Sequence, residues 1–201
     1  VLTQQEDEKK ALPLLVTPHG GPHSVYTTMY MMTYALYALS GFTVCEVNYR
    51  GSIGFGLNPL TSLVGKCGQQ DVSDVHAATV HMFNNFNVDK NRAGIVGGSH
   101  GGFLTGHMIG QYPDLFKSAA LLNPVTNIAS MISLTDIPDW CYTEANGIDY
   151  DDHDVEQYLN LSPSQRESLL VDQFRASPQA HVHRVNIDTC AVLILLGDAD
   201  R

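Results

Sequence analysis

The run from Ala93 to Gln111 constrains this chain more than any other. AGIVG is rich in β-formers, GSHGG follows without a spacer, and Phe103 to Gln111 has a helical period that closes at Tyr112-Pro113. A strand therefore turns straight into a helix, with Ser99 at the corner between two pairs of glycines. Neighbours carrying a Cβ would collide with the strand and the helix. Such a turn strains the backbone of the serine and lifts its hydroxyl above the sheet edge. It also sets the serine at a helix N-terminus, where the dipole favours developing negative charge.

The rest of the chain repeats strand, loop and helix. LPLLV (12–16) reads as a strand and HGGPH (19–23) as a loop. Tyr26 to Ser40 reads as a helix stopped by Gly41. Phe42 to Asn48 is a second strand, followed by the glycine loop YRGSIGFG. Asp71 to Phe83 is a helix, with Asp71 and Asp74 suited to its first turn. Ser118 to Pro124 and Ala191 to Gly197 complete the strands. The last of these is apolar throughout, as a strand buried on both faces should be. The rhythm predicts an α/β fold, a mostly parallel sheet with helices on both faces. With the serine corner it predicts the α/β-hydrolase fold and its nucleophile elbow. Residues 1–12 read as a linker or edge segment, and 13–201 as a partial hydrolase domain. The acidic, helix-prone stretch of about 128–184 breaks the rhythm as a lid-like insertion.

Composition excludes some functions. At 201 residues, 44% of them hydrophobic, the chain can bury one sizeable core. A net charge of −10 argues against nucleic acid or an anionic membrane as partner. The scattered cysteines 45, 67, 141 and 190 have no metal or disulfide spacing and read as free thiols in a reducing, cytoplasmic setting. No cofactor and no metal are expected. The acidic run Asp149 to Asp154 fails the EF-hand pattern, because its fifth position is a histidine and the glycine is missing.

Acyl transfer from a serine needs an oxyanion hole. The backbone N–H after the nucleophile, that of His100, supplies one donor, and Gly21 in the HGG loop is expected to supply the second. At this point five segments stand in order: PHGGPH (18–23), NYRGSIGFG (48–56), GGSHGGF (97–103), NPVTNIASM (123–131) and TDIPDW (135–140). Together they resemble the catalytic domain of the prolyl oligopeptidase family, and within it the acylaminoacyl-peptidase branch. The resemblance implies a serine hydrolase that releases an N-acylated residue from the front of short peptides. It also implies an upstream β-propeller domain and a possible homo-oligomer. A carboxylesterase on the same scaffold, or a module without catalysis, are the alternatives.

The triad order of this fold is serine, acid, histidine. Two aspartates follow the last strand. The resemblance implies an aspartate two residues before an arginine: counted from Arg201 that position is Ala199, which cannot serve, whereas an arginine following Arg201 would make Asp200 the acid, so Asp200 is favoured over Asp198. All nine histidines precede Asp200, and none stands where the base belongs. The simplest reading is a catalytic domain truncated at both ends, with the base further on, so that these 201 residues alone have little activity. His100 adjoins the nucleophile, but consecutive side chains point apart at an elbow. His76 and His107 read as structural; His181 and His183 precede the last strand, away from the active edge. Arg50 reads as half of a buried ion pair with Asp74 rather than a substrate anchor. Trp140 reads equally as a wall of the acyl pocket or an anchor of the lid. The Met and Tyr stripe of residues 26, 29, 30, 32 and 37 reads as core.

Overall fold

The computed structural model describes residues 10–148 and 161–197. Five strands form one parallel sheet in the order β2-β1-β3-β4-β5. They are β1 (Leu12–Pro18), β2 (Thr43–Val47), β3 (Val88–Gly98), β4 (Ser118–Leu122) and β5 (Ala191–Leu195). The crossovers carry α1 (Met32–Leu39), α2 (Leu57–Thr61), α3 (Gln70–Asn85) and α4 (His100–Gln111). Between β4 and β5 lie α5 (Ile128–Met131), α6 (Pro138–Asn146), α7 (Pro163–Arg175) and a 3-10 helix, Pro178–Arg184. This is the α/β-hydrolase fold.

Strand register divides the core. Val16, Ile95 and Ala119 are lateral neighbours, and with Leu14 and Leu121 they are almost fully buried under α3 and α4. The opposite face carries Glu46, Thr17, Val96, Ala120 and Leu193 in register. Tyr26 and Tyr34, the latter on α1, cover the Thr17–Glu46 end of that face. Helices therefore lie on both faces.

The helix expected over Tyr26 to Ser40 is confined to Met32–Leu39. Asn48 captures the backbone of Tyr26 from 22 residues away, accepting from its N–H at 2.8 Å and donating to its carbonyl at 3.0 Å. That bond pair holds Tyr26 in an extended path. The Met and Tyr stripe splits: Tyr26 and Tyr37 are half-buried, whereas Met29 and Tyr30 are 72% and 79% exposed, and Met32 is exposed as well. β5 also departs from expectation. Its residues are exposed, because it is an edge strand and its faces are uncovered among the described residues. All four cysteines are free and buried. The acidic run Asp149 to Asp154 lies outside the described residues.

α4 is built against helix propensity. Gly101, Gly102, Gly106 and Gly110 occupy four of its twelve positions, although each glycine costs a helix about 1 kcal/mol relative to alanine. Close packing explains them. A Cβ at Gly101 would overlap the Pro18 carbonyl, and at Gly110 it would stand 2.7 Å from His181 Cβ. A Cβ at Gly97, at the end of β3, would overlap the Gly101 carbonyl. The glycines let the central helix sink between β1, β4 and the 3-10 helix, and α4 is buried along nearly its whole length.

Candidate active site

β3 ends at Gly98 and α4 begins at His100, so Ser99 alone makes the corner. Its φ of 55° and ψ of −122° put a side-chain-bearing residue in a region that L-amino acids avoid. Two backbone bonds hold it there: Ser99 N–H donates to the Leu122 carbonyl at 3.0 Å, and Phe103 N–H donates to the Ser99 carbonyl at 2.9 Å. Ser99 borders an open cleft of about 490 Å³ whose walls include Val125, Asn127, Met131, Leu134 and Gly197. Among the described residues its hydroxyl has no hydrogen-bond partner.

The HGG loop crosses directly over the elbow. A Cβ on Gly20 would stand 3.5 Å from Ser99 Cβ, and the carbonyls of Pro18 and His19 close on Gly101. The loop is tightly held. Tyr49 Oη donates to the His19 carbonyl at 2.8 Å, and its ring stacks on the His19 imidazole at 4.3 Å. His19 Nε2 lies 2.7 Å from Ser52 Oγ, and burial lowers its pKa. Gly21 has a φ of 127°, which only glycine adopts readily. His23, at the far end of the loop, reaches the Gly51 carbonyl and the Glu144 carboxylate. Sequence reading missed Tyr49, Ser52, His23 and Glu144, because each acts through a partner remote in the chain.

The side chain of His100 turns away from the cleft into the core. It is 1% exposed, stacks on Phe103, and its Nε2 lies 2.9 Å from Asp71 Oδ2. Asp71 Oδ1 accepts from the N–H groups of Gly68 and Val72. Cys67 adjoins the pair, and the three ligand atoms lie within 4.8 Å of one another. A cation there would have to break the Asp71–His100 bond and ionise a thiol that burial pushes well up, so packing is the better account of the cluster.

His107 is buried, with Nε2 donating to the Ala176 carbonyl at 3.0 Å and Nδ1 accepting from Gln111 at 2.9 Å. His76 stacks on Tyr112. His181 touches Gly110 at the far end of α4 from Ser99. Arg50 grips Asp74 through two guanidinium–carboxylate bonds of 2.7 and 2.8 Å, but the side chains are 47% and 24% exposed. The pair is therefore at the surface rather than buried, because the second strand ends before Arg50 and α3 lies alongside. Trp140, on α6, packs edge-on to His100 and Phe103 and is not part of the cleft wall. It anchors α6 to α4. Asp198 and Asp200 lie outside the described residues. Asn123 ties the end of β4 to the end of β5: its N–H donates to Leu195, and its Oδ1 accepts from Gly197 N–H at 2.7 Å.

The sequence profile of the prolyl oligopeptidase family matches residues 28–201. The chain belongs to the prolyl oligopeptidase family. Among its relatives in that family, the acylamino-acid-releasing enzyme of Mus musculus is 42% identical over 194 residues, which is 96% of this chain and 25% of the mouse protein. The Arabidopsis thaliana enzyme of the same name is 42% identical over 198 residues, 98% of this chain and 24% of that one. The Sus scrofa enzyme is 50% identical over 138 residues, 69% of this chain and 19% of that one. The chain thus spans no more than about a quarter of the length of these relatives. A solved acylaminoacyl peptidase in complex with Z-Gly-Gly-Phe-chloromethyl ketone superposes with a TM-score of 0.78 at 23% identity. It covers 96% of this chain and 28% of that one. Among the described residues, no helix is long and apolar enough to cross a membrane.

Proposed function

We propose that Ser99 is the nucleophile of a serine peptidase that removes an N-acylated residue, typically N-acetylated, from the front of short peptides. The observation that carries this is the strained Ser99 corner, which lines an open cleft and lies against the HGG loop. The names of the 42–50% identical relatives support the substrate class. Ser99 Oγ adds to the carbonyl carbon of the acylated residue, and the oxyanion is held by the N–H groups of Gly21 and His100. The serine proton passes through a base to the leaving amine as the peptide bond breaks. Water then hydrolyses the ester, freeing the N-acylamino acid and restoring the hydroxyl. Asp200 orients the base, a histidine contributed from beyond residue 201. Its support is its place in the chain just after β5, whose end Asn123 fastens beside the elbow. Further proposals for the longer protein are a β-propeller domain, a homo-oligomeric state and a cytoplasmic location.

The test uses the full-length protein. A fluorophosphonate probe labels Ser99, and Ser99→Ala abolishes both labelling and turnover. Acetyl-alanyl anilide is cleaved faster than the free-amine anilide or a simple ester. Preference for the ester would favour a carboxylesterase, and failure to label would remove the catalytic reading altogether.

A further inference from the structure

We propose that Glu144 positions the oxyanion loop through His23; this rests on the serine-hydrolase reading above. His23 sits two residues beyond Gly21. Its Nδ1 is 2.7 Å from the Gly51 carbonyl, and its Nε2 is 3.0 Å from Glu144 Oε1. A carbonyl oxygen only accepts, so Nδ1 carries a proton. The facing Nε2 and Oε1 then need a second proton between them, because two lone pairs would otherwise repel. The contact is a charge-assisted bond or its neutral equivalent, and either form fastens the loop at a defined distance.

Glu144 is well placed as an anchor. It lies on α6, which Trp140 packs against His100 and Phe103 of the elbow helix. The Glu144 carbonyl accepts from Gly65 N–H at 2.9 Å, and the neighbouring Gly147 packs against Gly65. The Glu144 side chain is 16% exposed, and its other oxygen, Oε2, is buried without a partner. A buried carboxylate oxygen left unpaired is costly, so the Oε1 bond to His23 is the one compensation for this side chain among the described contacts. The opposite margin of the loop is held by Tyr49 and Ser52 at His19. Gly20 and Gly21 are thus suspended between two anchored histidines, His19 and His23. The His23 anchor connects the loop to α6, which packs against α5, and α5 lines the cleft through Ser130 and Met131. One side chain thereby couples the position of the oxyanion donor to the position of the pocket.

Because the pair acts on a donor that matters most when the oxyanion forms, its loss reads in kcat rather than KM. In the full-length protein Glu144→Ala is expected to lower kcat about tenfold and leave KM within about twofold, less than outright loss of an oxyanion donor. Glu144→Gln recovers most of the rate, because its amide donates to the Nε2 of a neutral His23. His23→Ala matches Glu144→Ala, and the double variant is no slower than either single one. A peptidyl trifluoromethyl ketone, which forms an oxyanion on the enzyme, loses about tenfold in affinity for Glu144→Ala. The product N-acylamino acid does not, and a misfolded variant would lose both. Unchanged kcat, a change confined to KM, or equal loss in Glu144→Ala and Glu144→Gln overturns the inference. The wild-type protein is the control for the parent reading. If it neither labels nor turns over, the hydrolase assignment fails; if it does, these variants test the positioning alone.

Discussion

The carboxylate of Asp71, at the start of α3, meets the imidazole of His100 at 2.9 Å in the fully buried layer beneath the elbow. The residue next to Ser99 is thus tied to a helix 29 positions earlier in the chain. A histidine and an aspartate beside a serine invite a reading as catalytic dyad. Burial excludes it: with His100 1% exposed and turned into the core, the pair cannot reach a substrate in the cleft. Its role is to fix where α4 begins.

Removing the carboxylate should therefore unfold rather than merely slow the protein. Asp71→Ala leaves His100 and the N–H groups of Gly68 and Val72 unsatisfied in the core, at an expected cost of about 3–5 kcal/mol. Asp71→Asn keeps the shape and should cost about 1–3 kcal/mol. Denaturant unfolding of the full-length protein, followed by near-ultraviolet circular dichroism, orders the two. Equal stabilities would contradict the account.

Alanine should be harmful inside α4. Helix propensity alone makes Gly101→Ala stabilising by about 1 kcal/mol. The overlap with the Pro18 carbonyl reverses the sign, and a loss of about 2–3 kcal/mol is expected. Since Pro18 leads into the HGG loop, fluorophosphonate labelling of Ser99 should slow as well. A rise in the thermal midpoint would show that the helix has room.

Arg50→Ala offers the contrary case. The bidentate pair with Asp74 is geometrically good but open to solvent, so its loss should cost no more than about 1 kcal/mol. As Arg50 is engaged with Asp74, KM for substrates with a free carboxylate should be unchanged. A selective rise in that KM would assign Arg50 to substrate binding.

Acid should weaken the fold through His107. Its ring is buried as the neutral tautomer, with Nε2–H donating to Ala176 and Nδ1 accepting from Gln111, and burial pushes the pKa down to about 4. The unfolded chain takes up this proton near pH 6.5, so between 6.5 and 4 the unfolded state binds more protons than the folded one. Stability from this group is complete above about 6.5 and lost as pH falls toward 4, by up to roughly 3 kcal/mol. Comparing unfolding at pH 7 and pH 5 in wild type and His107→Gln checks the sign; the variant should lose part of the slope.

Much of this architecture is legible in the sequence, for a local reason. Most of the strands hold a short apolar run, although β3 also takes in the polar Asp89–Arg92 that AGIVG does not announce, and the turn at Ser99 is written in five contiguous residues. What escapes is set by distant partners. The Tyr26 segment carries helical spacing, but Asn48 captures its backbone, and nothing near Tyr26 announces that. The stripe around Met29 and Met32 has the composition of a core yet faces solvent. Gly106 and Gly110 look like helix breakers until Pro178 and His181 are seen against them. His23 and Glu144 are 121 positions apart, and although His23 closes the PHGGPH segment, nothing near it announces Glu144 as its partner.

The uncovered β5 bears on how such a chain behaves in a tube. Leu193, Ile194 and Leu195 are each at least 50% exposed, on a strand whose outer backbone groups lack a neighbouring strand among the described residues. An apolar, unguarded sheet edge is a template for another chain. Residues 1–201 expressed alone should be colloidally unstable, self-associating through β5 in a concentration-dependent way. Charged substitutions such as Leu193→Lys and Leu195→Lys would keep that fragment in solution without touching Ser99 or the loop above it.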